Sequence, residues 1–386
     1  MALMTNDLLF ALLRSAICEM ELTSEERDIC NQEQLLVALK LAQKYDVAHL
    51  AVLGLKKNNL IAPENAALEQ VILRAVFRYE RLNYDYTKLC ATLEEAQIPF
   101  MPLKGSILRD YYPEAWMRTS CDVDVLVRNE DLNRAVSVLT EKLGYIEKER
   151  TTHDIVLSTP AGISVELHYD LVEEGRAKNA IKVLSAVWQD ATPRQGSRYF
   201  YEMSDSFFYF YHIAHMAKHF ENGGCGIRPF IDLWILDRLD GIDEEKRNEL
   251  LKKSDLKQFA DMCRKLCRVW LEKEQADDLS LQLQEFLLHS GMYGSTDNRV
   301  LLQQNKRGGR LGYLWSRVFA PRTKLERYYP VLKKHRWLLP FMQVRRWFML
   351  LRPEVSAMAK SEMKANKDVD PEKAEAMRIF LNNIGL

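Results

Sequence analysis

The sequence predicts an α+β protein, a small mixed β-sheet core flanked by helical amino-terminal and carboxy-terminal regions. Two observations carry this. Apolar residues recur every three or four positions up to Ala96, fall into strand-like runs between Ile98 and about Glu173, and return to helical spacing after Gly175. The middle stretch ends in alternating apolar runs on either side of Pro160-Ala161-Gly162, the signal of an antiparallel hairpin. The chain accordingly divides into a helical region 1–97, an α/β core 98–200, a helical domain 201–290, and a basic, aromatic segment with a charged tail over 291–386.

Taken in order, the first helix is MALMTNDLLFALLRSAICEME, whose apolar positions are interspersed with Asp7, Arg14 and Glu19. It lacks a basic leader and a small-residue cleavage site, so no signal peptide is expected. A second helix runs from Ser24 through LLVALKLAQKY. A third, from Ala66 to Ala96, repeats Leu68, Val71, Ala75, Tyr79, Leu82, Tyr86, Leu89 and Leu93 as a stripe. At 1.5 Å per residue it spans roughly 45 Å, a spine joining two parts of the molecule.

Then come the strand IPFMPL, a helix in GSILRDYYP, the strand CDVDVLV, a helix from Asp131 to Leu143, and the hairpin DIVLSTPAGISVELHYDL. SRYFYEM is a short strand candidate. SDSFFYFYHIAHMAKHF, opened by a Ser204 or Asp205 cap, is apolar nearly all round and reads as a buried helix. RPFIDLWILDRL follows, with further helices to Leu288. Residues 291–312 read as a loop, and the stretch from Lys364 as a charged, exposed helix or frayed end.

Lys plus Arg and Asp plus Glu both number 54, so no global field argues for a polyanionic partner. The balance hides an asymmetry: residues 306–352 hold thirteen Lys or Arg and one acid, Glu326. The seven cysteines (18, 30, 90, 121, 225, 263, 267) are scattered, which fits reduced thiols in a cytoplasm. Cys263 and Cys267 lie one helical turn apart without a second pair, a poor zinc pattern. No window is long and apolar enough to span a membrane.

The chemistry concentrates at Asp122 and Asp124. On a strand they share a face, while Val123 and Val125 turn to the other. Two carboxylates so close repel unless a cation joins them, and hard oxygen donors suit Mg²⁺ or Mn²⁺ with phosphate oxygens as co-ligands. A strand end with both carboxylates in water is the plainer reading. Upstream, Lys104-Gly105-Ser106 stands between an apolar strand and a helix, where a glycine lets backbone N–H groups and the Ser106 hydroxyl approach phosphate.

Strand, Gly-Ser, helix and then Asp-x-Asp on the next strand resembles the nucleotidyltransferase superfamily that includes DNA polymerase beta. LKG, a Tyr-Pro, Arg118 before DVDVLV, Gly144-Tyr145, VELHYDL, and HMAKHF followed by GIRPFIDL resemble its uncharacterised bacterial branch, nucleotidyltransferase family 5. The likeness covers residues 98–235, and more loosely RYYPVL and WLLPF. It implies a metal-dependent enzyme that moves NMP from an NTP to an acceptor hydroxyl and releases pyrophosphate, with Mg²⁺ or Mn²⁺ as cofactor. Asp122 and Asp124 look like the metal-binding pair and Glu166 like the third carboxylate. Asp170 shares Glu166's strand parity but lies ~13 Å further along.

Lys104, Gly105, Ser106 and Arg118 are candidate nucleotide contacts, since a triphosphate needs cations beyond the metal. His168 shares Glu166's face as a base or supporting partner. His212, His215 and His219 share a helix face and could ligate a metal, though their aromatic surroundings favour histidines hydrogen-bonded between helices. His215 and His219, with Lys218, would otherwise project toward the nucleotide. Asp232 is expected to pair with Arg228 or one of these histidines.

The acceptor is open: a small molecule, a protein side chain or an RNA end. The 306–352 segment, with Trp315, Tyr328, Tyr329, Trp337, Trp347 and Phe348 among its cations, suits RNA or an anionic membrane surface. The competing reading turns those aromatics inward beneath a cationic shell, with Pro330 and Pro340 breaking any long helix. Two other functions fit parts of the pattern. One is a non-catalytic nucleotide- or RNA-binding module on the same fold. The other is an Asp-x-Asp glycosyltransferase, which needs several βα units before the motif where this chain has one strand.

Overall fold

A computed structural model describes residues 2–61, 65–151, 153–171, 178–221, 223–290, 300–302, 304, 309–322, 325–326, 329, 331–349, 363, 366 and 371–386. The amino-terminal helices are α1 (Ala2–Cys18), α2 (Ser24–Asp28), α3 (Gln32–Lys44), α4 (Ala48–Lys57) and α5 (Ala66–Glu95). The single helix expected from Ser24 is therefore two. The Thr23 side chain accepts from the Glu26 amide while Glu26 accepts from the Thr23 amide, a capping box that starts α2. Asn31 then accepts from the Gln34 amide and starts α3 afresh. The sequence reading missed α4, which is buried on most sides and so lacks a polar stripe.

The core sheet has five strands: β1 (Phe100–Pro102), β2 (Asp122–Val127), β3 (Ile146–Arg150), β4 (Asp154–Ser158) and β5 (Ser164–His168), in the order β1-β2-β5-β4-β3. β2 and β5 are parallel and the other pairs antiparallel, so the sheet is mixed. The edge strand β3 is exposed along its whole length, and its sequence IEKER gave no alternating signal. α6 (Gly105–Leu108) is a single turn followed by a 3₁₀ turn, Arg109–Tyr111, shorter than the helix expected there. α7 (Leu132–Leu143) ends at Gly144, which takes the left-handed conformation at φ +68° that closes a helix.

One sheet face is apolar. Val123, Val125, Val165, Leu167, Ile155 and Leu157 pack on Leu89 and Leu93 of α5 and on Ala135 and Leu139 of α7. The other face carries Asp122, Asp124, Leu126, Glu166 and His168, of which Leu126 enters the larger core. That core is built from α1, α3 and α4 together with α8 (Lys178–Leu184), α9 (Val187–Asp190), α10 (Asp205–Glu221), α11 (Arg228–Leu236), α12 (Glu244–Lys253), α13 (Lys257–Glu272) and α14 (Asp278–Ser290). Between α9 and α10 a small ribbon pairs β6 (Thr192–Pro193) with β7 (Tyr201–Glu202), the strand expected in SRYFYEM. Ser204 caps α10 by accepting from the Phe207 amide at 3.3 Å.

Among the described residues that follow, the named helices are α15 (Gly309–Val318), α16 (Val331–Lys334), α17 (Leu339–Met349) and α18 (Pro371–Ile384). Of the loop expected over 291–312, residues 291–299, 303 and 305–308 lie outside the described residues, whereas 300–302 and 304 are helical and α15 begins at Gly309. Pro340 does not break α17; it is the second residue, where its missing N–H has no helical partner to lose. Over Pro371–Ile384 the charged tail is the largely exposed helix expected there, and one edge of it docks. Phe380 and Ile384 of α18 are buried, Phe380 lies 5.4 Å from Phe286, and Gln258 donates to the Asn383 carbonyl at 2.9 Å.

Candidate active site

The parallel β2–β5 register sets Asp124 directly opposite Glu166 and Asp122 opposite Ser164. Asp122, Asp124 and Glu166 therefore line one sheet face because of strand periodicity plus pairing, with no loop involved. Asp170 lies beyond the end of β5 and is exposed, which separates it from the pair. His168, two residues past Glu166, donates Nε2–H to Asp124 Oδ1 at 2.9 Å and stands 3.4 Å from Glu166 Oε2. Asp124, Glu166 and His168 each offer a ligand atom within 4.8 Å of the others.

Lys104 reaches in from the β1–α6 turn, 2.6 Å from Asp124 Oδ1 and 3.7 Å from Glu166 Oε2. Its backbone sits at φ +46°, ψ −123°, a conformation that usually belongs to glycine. The Leu103 amide donates to the Asp124 carbonyl at 3.0 Å and ties the turn to β2. Gly105 is needed for contact: a Cβ there would stand 2.5 Å from Ser120 Oγ.

Electrostatics divide the two aspartates. Burial opposes ionisation of Asp124, but the Lys104 ammonium and His168 more than offset it and hold the carboxyl well below the usual range. At Asp122 burial, then the charges of Asp124 and Glu166, outweigh the pull of Lys104 and Arg228 and push it up to about 6. Burial opposes the charge of Lys104 and of His168 as well. Asp124 still holds the Lys104 pKa above its ordinary value, and hydrogen bonds to Asp124 and Glu166 do the same for His168.

Across from the carboxylates stands α10. Tyr211, His215, Lys218 and His219 line the same cleft of about 330 Å³ as Lys104, Gly105, Asp122, Asp124 and Glu166. Burial, then the Lys104 charge, lowers Lys218 to about 8. His215 and His219 meet Nε2 to Nε2 at 2.9 Å, while His212 is buried and donates to the Pro229 carbonyl at 2.8 Å. The three histidines thus do not converge as a metal site. Among the described residues, three metal-capable groups come together at Asp124, Glu166 and His168.

Two of the expected nucleotide contacts sit differently. Ser106 is buried beneath the cleft wall, and its amide already donates to the Leu103 carbonyl at 3.1 Å because the turn is tight. With α6 only one turn long, no helix dipole of consequence points at the cleft. Arg118 lines the cleft, but its guanidinium is committed: Nε donates to Asp232 Oδ1 at 2.6 Å and Nη1 to the Thr119 carbonyl at 2.6 Å. Asp232 accepts from Arg118 and from the Tyr112 hydroxyl, 2.7 Å away, while His212 and Arg228, the partners expected from the sequence, act on it through charge.

The loop 117–121 that leads into Asp122 is held on every side. His49 donates to the Met117 carbonyl at 2.8 Å and Arg78 to the Ser120 carbonyl at 2.8 Å. Arg228 donates to the Thr119 carbonyl at 3.0 Å and to Asp46 at 2.8 Å, and Arg78 also grips Asp46 through both carboxylate oxygens. Of these partners the sequence reading singled out Arg228, as a mate for Asp232; Asp46, His49 and Arg78 carried no signal. Asp154 was missed too. It faces the site from β4, opposite His168, and the hairpin register was the one signal that could have found it.

The donor set fits a divalent cation: hard carboxylate oxygens converge on one face, and Asp122 is left in a field of like charge that a cation relieves. A profile described as "Uncharacterised nucleotidyltransferase" matches residues 32–272, more than half of the chain. No curated protein matches. Among solved structures, one that matches is the antibiotic-resistance factor ANT(2'')-Ia, at 11% identity over 53% of this chain and 95% of that chain, with a TM-score of 0.26 that carries no argument. On the extent of the profile match, this chain belongs to the uncharacterised nucleotidyltransferase family.

Proposed function

We propose that the cleft transfers NMP from an NTP to an acceptor hydroxyl, with release of pyrophosphate, using Mg²⁺ or Mn²⁺ held by Asp122, Asp124 and Glu166. The observation that carries the reading is the register. It sets Asp124 opposite Glu166 with Asp122 two residues along the same face, open to a cleft that α10 walls with Lys218. The bound metal supplies charge neutralisation of the triphosphate and lowers the pKa of the attacking hydroxyl. Lys104 and Lys218, on opposite walls, hold the phosphates electrostatically, and Gly105 lets the nucleotide approach the turn. His168 orients Asp124, and His215 and His219 support the far wall. Arg118 lines the cleft with its guanidinium committed to Asp232 and the Thr119 carbonyl, and Ser106 is buried; they keep the 117–121 loop and the turn in place.

The acceptor oxygen attacks the α-phosphorus in line as the bond to pyrophosphate breaks, and its proton passes to a carboxylate of this set. The acceptor is a small molecule, a protein or an RNA end, and we place the reaction in the cytoplasm, where seven free thiols persist. The test is incubation of the purified protein with Mg²⁺ or Mn²⁺, cell extract and NTP labelled at the α or the γ phosphate. Transfer of α-label alone is expected, and Asp122→Ala with Asp124→Ala is expected to abolish it while leaving the circular dichroism unchanged. Label transfer that survives in the double variant, or transfer from the γ position, overturns the reading.

A further inference from the structure

The carboxy-terminal surface is built unlike the rest of the molecule. α15 exposes Leu311, Trp315 and Val318 on one side, with Trp315 68% exposed. The turn before α17 and α17 itself expose Trp337, Phe341 and Phe348, spaced four and seven residues apart and each more than 60% exposed. These side chains are not a disassembled core, because the segment has its own: Leu325, Tyr329 and Leu332 are buried with Leu338, Leu339 and Met342 packed against them. The two exposed stripes are joined. Trp347 donates to the Val318 carbonyl at 2.8 Å, Arg346 donates to the Arg317 carbonyl at 2.8 Å, and the Phe319 ring stands edge-on to Trp347 at 5.7 Å.

We infer that this surface docks on an anionic lipid bilayer. Charge points to the occupant. Residues 306–352 carry thirteen cations and one acid, and that acid, Glu326, is 2.7 Å from Arg322. Exposed Lys334, Arg336 and Arg345 rim the aromatic stripe, so the apolar side chains enter the headgroup boundary as the cations meet lipid phosphates. A second copy of the chain would bring two cationic faces together and is repelled. Nucleic acid stacks on ring faces, whereas here Leu311, Val318 and Val344 are exposed among the rings, and aliphatic groups of that kind gain only from leaving water. Among the described residues no helix is long and apolar enough to cross a membrane, so the contact is peripheral.

The test uses the full chain in sedimentation with vesicles of pure phosphatidylcholine, or of phosphatidylcholine with one third phosphatidylserine. Binding to the anionic vesicles is expected, with a blue shift of tryptophan fluorescence and weakening at high salt. The variant Trp337→Ser/Phe341→Ser/Phe348→Ser is expected to lose about 100-fold in partition, and Arg336→Glu/Arg345→Glu at least about tenfold. All five positions are exposed, and an unchanged thermal melt confirms that folding is intact. Equal binding to both vesicle types, no vesicle binding beside tight binding of an RNA oligonucleotide, or self-association that the serine variant abolishes would each overturn the inference. No nucleotide is present, so the outcome is independent of the catalytic reading.

Discussion

Lys104 occupies a backbone conformation that costs a non-glycine residue on the order of 1–3 kcal/mol. It is held there because its ammonium reaches Asp124 at 2.6 Å. Lys104→Ala and Lys104→Gly remove the same ammonium, so their difference isolates the backbone. The glycine variant is expected to be the more stable of the two by about 1 kcal/mol in urea denaturation, and equal midpoints would show the turn to be unstrained. Next to it, Gly105→Ala drives a methyl group to 2.5 Å from Ser120 Oγ. A loss of about 1–3 kcal/mol is expected. Because the clash is with one hydroxyl, Ser120→Ala in the same chain should recover most of it; no recovery would locate the conflict in the backbone. Lys104, Gly105, Asp122 and Asp124 were legible as residue types in a pattern, since a motif is local, whereas Glu166 stood beside Asp170 as an alternative that only the β2–β5 register decides. The burial of Ser106 was not legible, because it depends on how tightly the turn closes.

Among elements, the junction of the 117–121 loop with α11 turns on one buried pair. Asp232 and Arg118 are both buried, and removing one charge leaves the other unpaired in an apolar setting. Asp232→Ala is expected to cost about 3–5 kcal/mol, while the paired replacement Asp232→Leu/Arg118→Met costs less than the single change. A double-variant melt no better than that of Asp232→Ala would show that packing and not charge decides this site. The sequence marked Asp232 as an acid in an apolar helix but not its partner, since 114 residues separate it from Arg118. The long helix α5 was legible from its stripe. The split of α2 from α3 turned on a cap at Asn31, and the edge strand β3 and the short α6 had no periodic signal to read.

α1, α3 and α4 share one core with α10–α14, and the loop before Asp122 is clamped between them. His49 of α4 is part of that clamp, and burial lowers it to about 4 despite its bond to the Met117 carbonyl. Its unfolded value is about 6.5, so between pH 6.5 and 4 the unfolded chain takes up a proton that the native state refuses. Stability should therefore fall as pH falls through that window, by on the order of 2–3 kcal/mol from this residue. His49→Gln keeps a donor and removes the titration. The wild-type and variant stability curves are expected to converge toward pH 4 from a wild-type advantage near pH 7, and parallel curves would refute the assignment.

At this scale the carboxy-terminal aromatics also parted from the simpler expectation. Trp315, Trp337 and Phe348 face outward, while Tyr313, Tyr329 and Leu332 make the inward contacts. By itself the sequence determined the fold class, the order of the main elements and the residue types of the Lys-Gly-Ser and Asp-x-Asp stretches, because periodicity and motifs act over a few residues. Only the tertiary structure decided that Glu166 and not Asp170 stands opposite Asp124, that α10 closes the cleft, and that Arg118 binds Asp232. Strand register, helix docking and the pairing of buried charges are settled by energies summed over residues far apart in the chain, and no local pattern records them.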